Sequence, residues 1–311
     1  METVSPVEKP RYFGAHPEAS FPPWEGRPRP VFRVKVSLHL LLGAALVGLV
    51  LLGALIPLLL ETGPEVMHPG ARLAPPGLRF PLGTDQLGRD VLSRILQGAQ
   101  FALLLSISAT ALSVATGVSL GLLSGYRARW MDAVLSRGMD ALLAFPGLLL
   151  AIVLAARLGP SLWTTVLALG IMGAPSFFRM ARSGMFTIKN AEYVQAARSI
   201  GASNGRIVLR HILPNLGSTL LVFVTLRLGT MVLAGSGLSF IGLGMQPPDA
   251  DWGTMLASSK SLLGKAWWLG AFPGLAITLT VLGFNLLGDG LRDQWGDYPY
   301  TSRSTDDGEP G

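Results

Sequence analysis

Apolar residues in this chain gather into six blocks separated by polar segments. They run from about Val36 to Leu60, Phe101 to Tyr126, Met139 to Ala156, Ser161 to Phe178, Leu216 to Ile241 and Trp267 to Leu287. A helix needs about 20 apolar residues to cross the hydrocarbon core of a bilayer, and each block approaches or exceeds that length. The pattern predicts an all-α integral membrane protein with about six transmembrane helices. Val91, Leu92, Ile95 and Leu96 recur at near-helical spacing and predict a short interfacial helix before the second block. Gly117, Gly121 and Gly125 make two overlapping G-x-x-x-G steps, which would give one helix a flat face for close contact. Pro146 predicts a kink in the third block.

Composition agrees with lipid as the solvent for these blocks. Half of the 311 residues are apolar, 14% are charged and the mean hydropathy is +0.46, against about 25% charged residues in a soluble domain. The absence of cysteine rules out a disulfide framework, a thiolate metal site and a cysteine nucleophile. With four histidines besides, no metal site is expected. Residues 1–35 are polar and proline-rich and lack the apolar core of a signal peptide, so they read as a tail. The net charge of +6 raises nucleic acid as a partner, but its distribution points to membrane topology instead. If both ends are cytoplasmic, 17 of the 25 Lys and Arg fall on the cytoplasmic side, in 1–35, 127–137, 179–215 and the C-terminal tail. Seven fall outside, and Arg227 lies within a span. The positive-inside rule selects this orientation. It places 61–97 and 242–266 on the outer face.

The segment Asn190 to Asn215, NAEYVQAARSIGASNGRIVLRHILPN, reads as two short helices at an angle. Asn190 is expected to cap the first through its side chain. Gly201 stops it, because glycine accepts positive φ at little cost. Ser203 or Asn204 starts the second. Pro214 either ends that helix or marks entry into the next span. Ala196 and Ala197 would leave a low surface on which another protein could seat, ringed by Arg198, Arg206 and Arg210.

At these residues the chain resembles the cytoplasmic coupling loop of binding-protein-dependent ABC importer permeases. That family's pattern is EAA, three residues, G, nine residues, I, one residue, LP. Ala196, Ala197, Gly201, Leu213 and Pro214 match it, while Gln195 replaces the glutamate and His211 the isoleucine. PLGTDQLGRDVLSRILQGAQ at 81–100, MDALLAFPGLLLAIVLA at 139–155, LSFIGLGMQPPDADWGTML at 238–256 and FPGLAITLTVLGFNLLGDGLRD at 272–293 resemble the dipeptide and oligopeptide branch, of the DppC and OppC type. Gly235 departs from the acid expected there in many relatives.

The resemblance implies a type I importer permease fold, laid out in four parts. A cytoplasmic tail covers 1–35, and a first helix with an extracytoplasmic segment covers 36–97. A core transmembrane domain covers 98–290, with its coupling loop at 187–215. A second tail covers 291–311. The implied partners are a second homologous permease subunit, two cytoplasmic ATPase subunits, an extracytoplasmic substrate-binding protein and the lipid bilayer of a prokaryotic inner membrane. The implied ATPase contacts are Glu192, Gln195, Ala196, Ala197, Gly201, Ala202, Arg206, Leu213 and Pro214. No cofactor is expected in this chain, since ATP and Mg would be held by the ATPases. The chain itself has no G-x-x-x-x-G-K-[ST], and Gly264-Lys265-Ala266 lacks the upstream glycine and the hydroxyl residue.

Further residues carry chemistry outside this pattern. Arg227 lies near the middle of the fifth block, where a charge costs about 2.5–3.5 kcal/mol on insertion scales. It is expected either to line the translocation path or to pair with a carbonyl or a partner's acid. Asp85, Arg89, Asp90 and Arg94 read as a salt-bridged outer face. Asp85, Arg89, Asp90, Asp249 and Asp251 are the candidate contacts for the binding protein. Asn285 and Asp289 read as helix-end packing, and His211 as an interface or solvent residue. An ion-coupled secondary transporter is the alternative class, but it would carry more intramembrane acids or an internal repeat. An intramembrane serine protease at Ser236 lacks a histidine able to meet it.

Overall fold

The computed structural model describes residues 37–60, 63–126, 129–246 and 248–295. The two expected tails, apart from the end of the last helix, lie outside these residues. Among the described residues there are ten α-helices, and the sole β feature is an isolated bridge between Thr84 and Asp90. They are α1 (Leu38–Leu60), α2 (Val91–Tyr126), α3 (Arg129–Ala144), α4 (Gly147–Leu158), α5 (Leu162–Ile188), α6 (Glu192–Ser199), α7 (Asn204–Ile207), α8 (Leu213–Phe240), α9 (Trp252–Ser259) and α10 (Trp268–Trp295). Five helical segments are long and apolar enough to cross a membrane, and the bent pair of α3 and α4 makes up to six.

Two boundaries differ from the sequence pattern. The interfacial helix expected at Val91–Leu96 is the first part of α2, which runs unbroken for 36 residues. At about 1.5 Å per residue this is about 54 Å, well beyond the roughly 30 Å apolar core. Gly98 sits in the join without breaking it and serves a close contact instead, since a Cβ there would stand 2.5 Å from the Trp252 ring. The third block is broken rather than kinked. Pro146 sits before the first turn of α4 with φ −61° and ψ 120°, and α3 and α4 meet at 87°. Pro175, in contrast, is carried inside α5.

The glycine stripe on α2 packs against α5. A Cβ at Gly121 would stand 2.6 Å from the Phe178 carbonyl oxygen, and one at Gly125 would stand 2.5 Å from Met185 Cγ. The contacts advance in the same direction along both helices, so α2 and α5 run parallel. α10 is antiparallel to α1: Gly283 abuts Leu46 and Val47, and Gly290 abuts Leu40. α10 is also antiparallel to α8, with Gly229 against Phe284 and Gly288 against Leu226. The first turn of α1, the last turns of α2, α5 and α10, and the start of α8 therefore share one end. His39 and Asp293 approach to 3.8 Å there.

The opposite end is a compact module built from the 83–91 loop, the start of α2, α9 and the start of α10. Two tryptophans fasten it. Trp252 Nε1 donates to the Ile95 carbonyl at 2.9 Å, and Trp268 Nε1 donates to the Thr84 carbonyl at 3.2 Å. Val91, Trp252, Met255, Ala266, Trp268 and Leu269 form its buried core. Gly83, at φ +80°, lies against both the Ala74 carbonyl and the Trp268 ring, so a side chain has neither the backbone region nor the space.

Candidate functional site

The strongest sequence motif folds into a knob of α6 and α7 at the shared end. Val194, Ala197, Ile207 and Ile212 are buried beneath it. They join Val118 and Leu122 of α2, Ala181 and Met185 of α5, and Leu216 of α8 in one apolar cluster, with Ala197 alone standing beside rather than within it. α6 ends in a Schellman arrangement, in which Ala202 N–H donates to the Ala197 carbonyl at 3.1 Å and Gly201 N–H to the Arg198 carbonyl at 3.0 Å. Gly201 takes φ +83°, as its role as a stop requires.

The start of α6 differs from expectation. Its N-cap is Ala191, with no side-chain cap; Asn190 instead donates back to the Phe186 carbonyl at 3.4 Å, finishing α5. Gln195 Nε2 donates to the Asn190 carbonyl at 3.0 Å and ties the helix to the preceding turn. Ser203 precedes α7 without a side-chain cap. A π-helical turn at Val208–Ile212 joins α7 to α8, and Pro214 stands in the first turn of α8, where its missing N–H is tolerated. Of the two readings of Pro214, entry into the next span is the one adopted.

The two alanines part company. Ala196 is exposed, while Ala197 is turned into the chain's own interior, so only the first belongs to an outward surface. Glu192, Gln195, Gly201 and Arg206 are exposed, as are Arg198 and Arg210; Ala202 and Leu213 are half-buried and Pro214 is exposed. Ile200 stands 87% exposed beside Gly201, and Tyr193 is exposed as well. Neither is part of the motif, yet both are large apolar groups presented outward, as is Leu209 just after α7, 67% exposed. An isoleucine next to a helix-stopping glycine was the available signal.

The knob is braced to the spans. Tyr126, at the end of α2, donates its hydroxyl to Asn204 Oδ1 in α7, and Lys189 Nζ reaches the Gly125 carbonyl at 3.1 Å. Beside it, Arg182 of α5 grips Asp132 of α3 through Nε at 2.5 Å and Nη2 at 2.6 Å, and Ser124 of α2 donates to the same carboxylate. Arg179 pairs with Asp140 at 2.8 Å. Sequence reading missed this clamp, because 127–137 looked like a basic loop rather than the start of a helix. His211 is half-buried, and the described residues hold no His, Asp or Glu group able to bind a metal.

Arg227 lies midway along the 28-residue α8, half-buried, with its guanidinium 5.0 Å from the centre of the Phe223 ring. The ion pairs among the described residues do not include it. Among the described residues its neighbour is therefore an aromatic face rather than a carboxylate. At Gly235 a Cβ would stand 2.5 Å from Leu105 Cδ2, so a larger side chain there would require the Leu105 side chain to move.

The outer residues are turned inward. Asp85 Oδ1 accepts from the amides of Leu87 and Arg89 at 2.8 and 2.9 Å. Asp90 accepts from Ser93 N–H at 2.9 Å and caps α2; Asp251 accepts from Thr254 N–H at 3.3 Å and caps α9. Burial pushes the Asp251 carboxyl upward from its ordinary range, opposed by hydrogen bonds from Ser239 and the first-turn amides. Arg89 and Arg94 are buried, and Arg94 Nε lies 3.8 Å from Asp85. Of the five candidate contacts, Asp85, Asp90 and Asp251 cap a helix or close a turn with their carboxylates, Arg89 is buried, and Asp249 is half-buried.

A bundle of apolar helices, five or six of them fit to cross a bilayer, with a braced, exposed knob at one end is the architecture of a multi-span membrane protein. Residues 117–294 match the family described as binding-protein-dependent transport system inner membrane component. The chain belongs to that family. It is 42% identical over 255 residues to the dipeptide transport system permease protein DppC of Alkalihalophilus pseudofirmus, a match covering 80% of this chain and 84% of that one. It is 45% identical to the glutathione transport system permease protein GsiD of Pectobacterium atrosepticum, covering 68% and 70%. In fold it is similar to a chain of the MetNI methionine ABC transporter in an inward-facing conformation, with a TM-score of 0.55 and 17% identity over 65% of this chain and 96% of that one. It also resembles an amino acid ABC transporter, with a TM-score of 0.51 and 19% identity over 64% and 94%. The chain is thus the multi-pass permease component of a binding-protein-dependent importer.

Proposed function

We propose that this permease carries peptides, or a closely related cargo, and that the knob receives the motion of the ATPases. Two permease subunits, this chain and a homologous sister, form the pathway between them. An extracytoplasmic binding protein delivers cargo at the end bearing α9, where Asp249 and the exposed Gln86 and Leu87 offer its contact surface. Two ATPase subunits, which hold ATP and Mg, dock at the other end. Both described ends of the chain and the knob face the cytoplasm, in keeping with the basic residues gathered there. Arg227 lines the path, its charge steadied by Phe223 and open to a cargo carboxylate.

One observation carries the coupling role: the knob is exposed at its tip and buried at its base. Ile200, Tyr193 and Ala196 face outward, while Val194 and Ile207 are fully buried against α2, α5 and α8. A push on the tip is therefore passed to three spanning helices, because close-packed interiors transmit displacement rather than absorb it. Orientation is tested by single cysteines at the exposed Ser203 and Lys260, made simple by the cysteine-free chain. Labelling of Lys260→Cys, and not Ser203→Cys, by an impermeant reagent on intact cells is expected; labelling of both contradicts the orientation. Cargo is tested by peptide uptake, which Arg227→Ala reduces most for peptides with a free carboxylate.

A further inference from the structure

Between the 83–91 loop and α9 lies a cavity of about 220 Å³. Its lining includes Asp85, Arg89, Arg94, Asp249, Thr254 and Ser258. Gln86 bridges its two sides, donating to the Ser258 carbonyl at 3.2 Å. Arg89 and Arg94 are each only 8% exposed, and Arg89 Nε and Arg94 Nη1 are buried without a hydrogen-bond partner. Buried charges are ordinarily paired and hydrogen-bonded, and each exception calls for a reason.

The acids nearby do not supply one. Asp85 spends Oδ1 on two loop amides, and its other oxygen reaches Arg94 Nε only at 3.8 Å. Asp249 lies beyond ion-pair distance of both arginines, and Asp90, which caps α2, does not line the cavity. Arg89 has no carboxylate within 4.0 Å among the described residues. Arg89 and Arg94 line the cavity, and no hydrogen bond from any of their guanidinium nitrogens is present among the described residues, so donors other than the two sealed ones are left for an occupant. A carboxylate is the group whose planar pair of oxygens matches such donors. The volume lies below the range of about 300–1,000 Å³ usual for drug-sized ligands, which limits the occupant to a small molecule.

We propose that this cavity binds a small carboxylate, no larger than an amino acid, held by Arg89 and Arg94. The site lies at the end opposite the knob and stands on the geometry alone, whatever cargo the importer carries. Hydrogen exchange of residues 83–96 is the readout, in the full-length chain within its assembled complex and without binding protein. Acetate and alanine are the probes, with acetamide, alaninamide and chloride as controls. Both carboxylates are expected to slow exchange at saturable concentrations, and the controls to leave it unchanged. Arg89→Gln should raise the half-effective concentration at least tenfold. If that variant fails to assemble, Arg89→Lys, which keeps the charge but not the planar fork, should raise it as well. Equal protection by the amides or by chloride, no protection of the native chain, or unchanged response in the variants would overturn the proposal.

Discussion

The two ends of this molecule are built on opposite principles. At the α9 end, polar and aromatic groups are drawn inside: Trp252 and Trp268 are buried, and Asp85, Asp90 and Asp251 close turns or cap helices. At the knob, burial is confined to the base, and Ile200, Tyr193, Ala196 and the arginines stand outward. The first end is stabilised by what it hides, and the second keeps a surface free. The same residue types, charged groups among glycines, therefore close turns and cap helices in one place and stand outward in the other. Only burial tells them apart.

The contrast breaks most visibly at Trp252. Trp252→Ala removes a fully buried ring and its hydrogen bond to Ile95, and large-to-small changes of this kind cost about 3–5 kcal/mol. A large fall in the melting temperature of the purified chain, with loss of assembly, is expected. Ile200→Asp, at the exposed tip, should leave melting unchanged. Equal effects of the two would erase the distinction between the ends.

The alanine pair sharpens it within the knob. Ala197→Trp overpacks a buried position and should cost about 1–3 kcal/mol. Ala196→Trp should change stability by less than about 0.5 kcal/mol, as surface substitutions do. Gly201→Val comes next, at roughly 1–2 kcal/mol, because Gly201 holds φ +83° in open space and the penalty is purely conformational. Thermal melting of the three variants orders them.

The smallest effect is a pH slope at the α9 end. Burial raises the Asp251 carboxyl, so the folded chain binds that proton more tightly than the unfolded one. Stability should then rise as pH falls through the raised folded value, and level off below the ordinary carboxylate value. Asp251→Asn keeps a capping oxygen and removes the titration. Its melting temperature should vary less between neutral and mildly acidic pH than that of the native chain.

Much of this was legible in the sequence, and the gaps have physical causes. Long apolar blocks located the spans because lipid tolerates little else. The glycine stripe on α2 and the stop at Gly201 were legible because each demands a property only glycine supplies. The broken third span was not, since a proline marks a break without fixing its angle. Asp132 and Arg182 lie 50 residues apart, and nothing local in either predicts that they meet. That Asp90 and Asp251 cap helices was not legible either, because polarity alone does not say which way a side chain points. Ala197 joined Ala196 in the motif, but a helix of eight residues turns neighbouring positions to different faces.

The coupling role is tested most directly at Ile200, whose change leaves the interior untouched. The ATPases are co-purified with Ile200→Asp permease, and ATP hydrolysis is measured in reconstituted membranes with and without loaded binding protein. The variant should fold, bind its sister subunit and show weakened ATPase docking or no stimulation by the binding protein. Docking and stimulation at the native level in that variant, and in Ala196→Trp beside it, would contradict the assignment of the knob as the transmission.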